Sequence, residues 1–342
     1  MEAAGISPEI VRLIRAGQLE AALALVPKIQ NPYEREATLA SISEAYLQRG
    51  QLQQAETIAL GIPAPSLPEG ELHDVEPYDG EYPFGRDWAI SSVITAYINA
   101  GQLDSALALV NQRDEEDRLP FLLDIAEHYQ VQGQPAKALA VLDLALANYR
   151  SEEEEKTEEL AKYSLEAANA IRFTTLARFM GIYSVAGGAR QAAALANELV
   201  TLVQSFTRQT LLTLYILLGT AYVYEAVNQK EQANSVLTFV LQSTEALEES
   251  YVKAMILSGV ARVYTALEEN DRAQQVLYQA QELADAVSEA SQQSVSTVSL
   301  IPTYLALGQP ENALRITEAI EPLELRQQVQ QAITCAQANP SR

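Results

Sequence analysis

The chain has 342 residues, 48% hydrophobic and 20% charged, a balance that favours a folded architecture over disorder. It carries 23 Lys+Arg against 45 Asp+Glu, a formal charge of −22, which argues against nucleic acid and anionic lipid as partners because both would be repelled. One cysteine, Cys335, rules out an intrachain disulfide, and two histidines, His73 and His128, are too few for a histidine-rich metal site.

The N-terminus lacks the basic start and apolar core of a secretory signal. No apolar run reaches the roughly 18–20 residues that span a bilayer. The richest run, residues 211–223, holds Thr213 and Thr220 and reads as a buried helix. The expectation is a soluble, cytoplasmic protein with no integral membrane segment.

A short helix is predicted at Pro8–Ala16, ending at Gly17. There the phrase Gly-Gln-x-x-x-Ala begins, and it recurs at Gly50, Gly101, Gly133 and Gly308. Weaker copies keep the alanine: Gly188 to Ala193, Asn228 to Ala233, Glu268 to Ala273. The anchor spacings are 33, 51, 32, 55, 40, 40 and 40, the mark of a solenoid. Four residues before the anchor stands Tyr46, Tyr97, Tyr129, Tyr224, Tyr264 or Tyr304, with Leu13 in the first unit and Ser184 in the fifth. Eight before it stand Ile42, Val93, Ile125, Met180, Thr220, Val260 and Leu300. Positions −8 and −4 share one helix face. Glycine then ends that helix, and the alanine on the next helix lets the two approach closely. Each unit therefore reads as helix, short turn, helix.

These residues resemble the tetratricopeptide repeat (TPR), best in residues 125–147 and 42–59. The resemblance covers the whole chain, and the 40-residue units are expected to use longer helices. It implies an all-α, right-handed α-α superhelix of about 7–8 helical hairpins, a single TPR-like solenoid over residues 1–342. The helix at Leu323–Ala338 is expected to cap the last apolar face. Cys335 on that helix reads as a small packing residue.

Fifteen places before the anchor a cation recurs: Arg35, Arg86, Arg118 and Lys253. The expectation is a structural bond to carbonyls that end the preceding helix.

Two insertions interrupt the period. Residues 62–86 are rich in Pro and Gly and carry Glu69, Glu71, Asp74, Glu76, Asp79 and Glu81. This is a long loop, either an arm for a basic partner or a decoration. Residues 149–160 include SEEEEKTEEL, with Ser151 read as a helix N-cap and the glutamates as a solvated first turn. The DEEDR run at residues 114–118 reads as a solvated turn.

No phosphate loop, dinucleotide fingerprint or nucleophile elbow is present. The sequence reading is accordingly not an enzyme, with no catalytic residue, cofactor or metal. By the resemblance, the groove residues lie about 13, 10, 6, 3 and 2 places before each anchor. In the N-terminal units they are Glu44, Gln48, Trp88, Thr95, Asn99, Glu127 and Gln130. In the later units they are Arg178, Tyr215, Tyr222, Glu225, Met255 and Arg262. Trp88 is either an interface anchor or a packing residue. The family's cationic clamp for a C-terminal carboxylate is not found. The leading reading is a scaffold, adaptor or assembly factor that holds a protein or peptide with a basic segment. Loop acids Glu71, Asp74, Glu76, Asp79 and Glu81 are candidate partner contacts. The alternative is a ligand- or peptide-gated regulator. A lower one is a helical-repeat lyase or hydrolase using insert carboxylates.

Overall fold

The computed structural model describes residues 6–63 and 85–338, with the side chains of Glu154 and Ala338 outside the description. The described residues are all-α and fall into two compact units, Met1–Glu152 and Glu153–Arg342. Unit 1 pairs α1 (Pro8–Ala16) with α2 (Leu19–Leu25), α3 (Pro32–Leu47) with α4 (Leu52–Leu60), and α5 (Arg86–Asn99) with α6 (Leu103–Val110). It continues through α7 (Leu119–Val131) into α8 (Pro135–Ala161), which contains the boundary. Unit 2 pairs α9 (Leu165–Ala186) with α10 (Ala189–Val203), α11 (Leu211–Ala226) with α12 (Lys230–Glu245), α13 (Ser250–Ala266) with α14 (Asn270–Asp285), and α15 (Ala290–Ala306) with α16 (Pro310–Ile316). It ends on α17 (Leu323–Ala338), which packs on α16. The hairpins of the 40-residue period do use longer helices.

One turn recurs throughout. The anchor is left-handed, with φ of +75° at Gly17, +70° at Gly50, Gly101 and Gly133, and +68° at Gly308. The N–H after it closes onto the carbonyl four residues before the anchor: Gln51 onto Tyr46 at 3.0 Å, Gln134 onto Tyr129 at 2.9 Å, Gln309 onto Tyr304 at 2.8 Å. This is the 6→1 bond of a Schellman cap. The same residue's carbonyl accepts the first i→i−4 bond of the next helix, from the N–H of the +5 alanine, as in Ala55 onto Gln51 and Ala106 onto Gln102, both at 3.1 Å. Glycine, glutamine and alanine are therefore one device that stops a helix and starts the next. The alanines at +5, from Ala22 to Ala313, are all 0% exposed.

The fifth turn corrects the sequence register. Gly187, not Gly188, is left-handed at φ +88°, and the Gly188 N–H bonds the Tyr183 carbonyl at 2.8 Å. Tyr183 thus takes the tyrosine place, Phe179 the −8 place and Ala192 the +5 place, each fully buried. Two consecutive glycines hide the choice in sequence; the tyrosine decides it.

The second correction concerns Ser151. It lies inside α8, where its Oγ donates to the Asn148 carbonyl at 2.7 Å. Glutamate is a good helix former and no Gly or Pro interrupts the run, so the helix continues through it. The cap that begins α9 is Ser164, whose Oγ accepts the Ala167 N–H at 3.1 Å. A third correction is Cys335, which is exposed. Ile333 is the buried residue of α17, because the last helix has packing on one side only.

The recurring cations act structurally at three of four places. Arg35 donates to the Ile29 carbonyl at 3.0 Å, Arg118 to the Arg113 carbonyl at 2.8 Å and Lys253 to the Glu245 carbonyl at 3.2 Å. Arg326 repeats the bond, to Ile320 at 3.0 Å. At Arg86 the backbone N–H is bonded instead, by Glu36 Oε1 at 2.8 Å. The run at residues 114–118 is an exposed 3-10 turn, Glu115–Asp117.

The repeat tyrosines join consecutive hairpins. In unit 1, Tyr97 donates to Glu56 Oε2 at 2.6 Å and Tyr129 to Asp104 Oδ1 at 2.5 Å. In unit 2, Tyr224 donates to Asn197 Oδ1 at 2.8 Å, and Tyr304 donates to Gln281 Oε1. The acceptors stand 6, 3, 10 and 13 places after their anchors, one stripe of the preceding second helix. The ring fills the core while the hydroxyl finds a partner at its edge.

Candidate functional site

Within each unit the first helices pack on one another along the stack: α1 on α3, α3 on α5 and α5 on α7, and then α9 on α11, α11 on α13 and α13 on α15. Among the contacts of the described residues the second helices show no comparable packing on each other, so the first helices form the continuous row within each unit.

In unit 1, Gln48 Nε2 donates to Glu44 Oε1 at 3.2 Å on the exposed edge of α3. Trp88 is half-buried at the start of α5 and Asn99 is exposed at its end. Glu127 and Gln130 are half-buried on α7. They are distributed over three first helices.

In unit 2 two of the expected residues, Tyr222 and Arg262, meet across helices, with Tyr215 and Glu225 on the same helix as Tyr222. Arg262 on α13 donates from Nε to the Tyr222 hydroxyl on α11 at 3.0 Å, and its guanidinium lies 5.9 Å from that ring's centroid. Burial raises the Tyr215 and Tyr222 phenols above their ordinary value, and the Arg262 charge opposes the rise at both. Glu225 acts on Tyr222 in the raising direction. Tyr222 is thus held by Arg262, with Tyr215 two helical turns before it and Glu225 one turn after it on α11. Arg178 stands nine places before Gly187, one place off the register of the other groove residues.

Sequence reasoning missed two exposed apolar residues on this side of unit 2. Val295 on α15 is 50% exposed and Leu212 on α11 is 57% exposed. Val295 occupies the −13 place, the same as Tyr215 and Met255. Continuing the register into the last full hairpin would have found it. The acidic-loop candidates Glu71, Asp74, Glu76, Asp79 and Glu81, with His73, lie outside the described residues.

Among the described residues no group of three or more His, Cys, Asp or Glu could hold a metal ion. His128 is tied locally, its Nδ1 2.9 Å from the Asp124 carbonyl oxygen. No described helix is long and apolar enough to cross a membrane.

No family model matches the chain, and no curated protein matches it. Solved structures of similar helical arrangement exist. The nearly identical TPR-like repeats of a Podosopora anserina protein match at 18% identity and TM-score 0.43, covering 76% of this chain and 100% of that one. A tetratricopeptide repeat protein from Parabacteroides merdae matches at 14% identity and TM-score 0.43, covering 89% and 99%. BtubC from P. vanneervenii matches at 14% identity and TM-score 0.43, covering 72% and 91%. At these values no function is carried across. The turn chemistry, the buried +5 alanines and the tyrosines stand on their own: the chain is a TPR-like helical-repeat protein, all-α and built of helical hairpins.

Proposed function

We propose that this chain is a non-enzymatic binding protein, an adaptor or assembly factor that holds a protein or peptide segment against its first helices. The observation that carries the reading is the cluster of Tyr215, Tyr222, Glu225 and Arg262, set among exposed Leu212 and Val295. Rigid aromatic surface beside a few fixed polar groups suits peptide recognition, because aromatic rings bury area at little conformational cost. The net charge of −22, with Glu44 and Glu127 on the first helices of unit 1, favours a partner carrying basic side chains.

The test is fluorescence anisotropy of labelled peptides, basic and amphipathic, against the full chain. The expected result is a bound peptide released as salt rises, with affinity reduced at least tenfold by Tyr222→Ala together with Arg262→Ala. Absence of any bound peptide, or affinity indifferent to both substitutions, would overturn the reading.

A further inference from the structure

The tyrosine-to-helix bond has one informative departure. In unit 1, Tyr129 and the cation four places after its anchor, Lys137, grip one carboxylate. Tyr129 donates to Asp104 Oδ1 at 2.5 Å, and Lys137 Nζ lies 2.9 Å from both Asp104 oxygens and 5.1 Å from the Tyr129 ring centroid. The equivalent pair in unit 2 is Tyr264 and Arg272. The Arg272 guanidinium lies 5.8 Å from the Tyr264 ring centroid. Among the described residues nothing accepts the Tyr264 hydroxyl. On α12 the stripe carries Glu231, Asn234, Thr238 and Leu241; Asn234 is taken by Glu269 and Arg272, and Thr238 donates to the Asn234 carbonyl.

Tyr264 and Arg272 instead line a cleft of about 760 Å³ between α12 and α14, floored by α13. That size lies within the range of roughly 300–1,000 Å³ typical of small-ligand pockets. Its apolar lining is Leu241, Leu257, Val276 and Leu283. Its other charged residues are Lys253, whose Nζ donates to the Glu245 carbonyl, and the carboxylates Glu245 and Glu282. Arg272 engages Glu269 and Asn234 through Nη1 alone, at 2.7 and 3.1 Å, so Nε and Nη2 keep donors for another acceptor. Burial raises the Tyr264 phenol above its ordinary value, so it stays a donor at neutral pH.

We propose that this cleft binds a small organic acid, its carboxylate held by the Tyr264 hydroxyl and the Arg272 guanidinium and its apolar body laid against Leu241, Leu257, Val276 and Leu283. The chain's own Asp104 is the pattern for the carboxylate grip. The cleft is walled by second helices and floored by the first helix α13, and it shares no residue with the Tyr215, Tyr222, Glu225 and Arg262 set proposed to hold a peptide.

Calorimetric titration of the full chain with octanoate, phenylpropionate and octanol tests it. Both acids bind, and octanol binds at least tenfold more weakly. Tyr264→Phe weakens the acids about tenfold, the scale of one hydrogen bond to a charged group, and Arg272→Gln weakens them further. Tyr264→Phe leaves the thermal melt unchanged, because the hydroxyl has no acceptor within the described chain. Failure of both acids to bind, equal binding of acid and alcohol, or unchanged affinity in Tyr264→Phe would each overturn the proposal.

Discussion

The hydroxyl of Tyr97 donates to Glu56 Oε2 at 2.6 Å, and this bond joins two consecutive hairpins of unit 1 at the edge of their shared core. Tyr97→Phe keeps the buried ring and removes only the bond. The expected loss is about 1 kcal/mol, since the Glu56 carboxylate left behind can be hydrated. Urea unfolding followed by circular dichroism measures it; a loss near zero would mean the tyrosine acts through its ring alone.

Alkaline pH should loosen the same contacts together. Burial and Glu56 push the Tyr97 phenol up to about 12, and burial raises Tyr129, Tyr224 and Tyr304, the other tyrosines of these bonds, as well. An unfolded tyrosine ionises near 10. A raised folded value means the stabilisation is present in full below about pH 10 and is lost as pH climbs toward 12. Phenolate absorbance should rise late and together with loss of helix. Ionisation near 10 without unfolding would contradict the account.

Glu268 holds φ at +65° where other turns carry glycine. A left-handed conformation costs a side-chain residue roughly 1–2 kcal/mol. Glu268→Gly should therefore stabilise unit 2 by up to about 1 kcal/mol after the added freedom of the unfolded chain is counted. Asn228→Gly should gain less, because asparagine tolerates its φ of +60° better. Thermal melts of the two variants order the effects.

Ala273 is 0% exposed where α14 meets α13. Ala273→Leu should cost about 1–3 kcal/mol by overpacking, and Ala273→Gly about 1 kcal/mol from lost helix propensity. Equal tolerance of leucine and alanine there would show that the close approach of paired helices is not required.

The hairpin was legible because its signals are local. The Gly50 N–H bonds the Leu47 carbonyl, the Gln51 N–H that of Tyr46 and the Ala55 N–H that of Gln51, so a six-residue phrase and the turn before it carry the geometry. The Gly187–Gly188 pair was misplaced by one because sequence does not display φ. Ser151 looked like a cap, yet a cap functions only where a helix begins, and the strong helix formers around it carry α8 past it. The cluster at Tyr222 and Arg262 lay within reach because both stand six places before their anchors. The cleft at Tyr264 was not legible, since it depends on which stripe residues of α12 other side chains have already taken, as Glu269 and Arg272 take Asn234. Charge shows the same limit. Residues 1–170 hold 12 basic and 29 acidic side chains, but division at Glu152 gives 10 and 23 in unit 1 and 13 and 22 in unit 2. The excess is −13 against −9, so the two units differ little in charge.

Hydrogen–deuterium exchange with a selected basic peptide tests the central claim most directly. Slower exchange on first helices, in particular α11 and α13 around Tyr222 and Arg262, with second helices unchanged, is the predicted result. Protection confined to second helices, or none anywhere under saturating peptide, would contradict it.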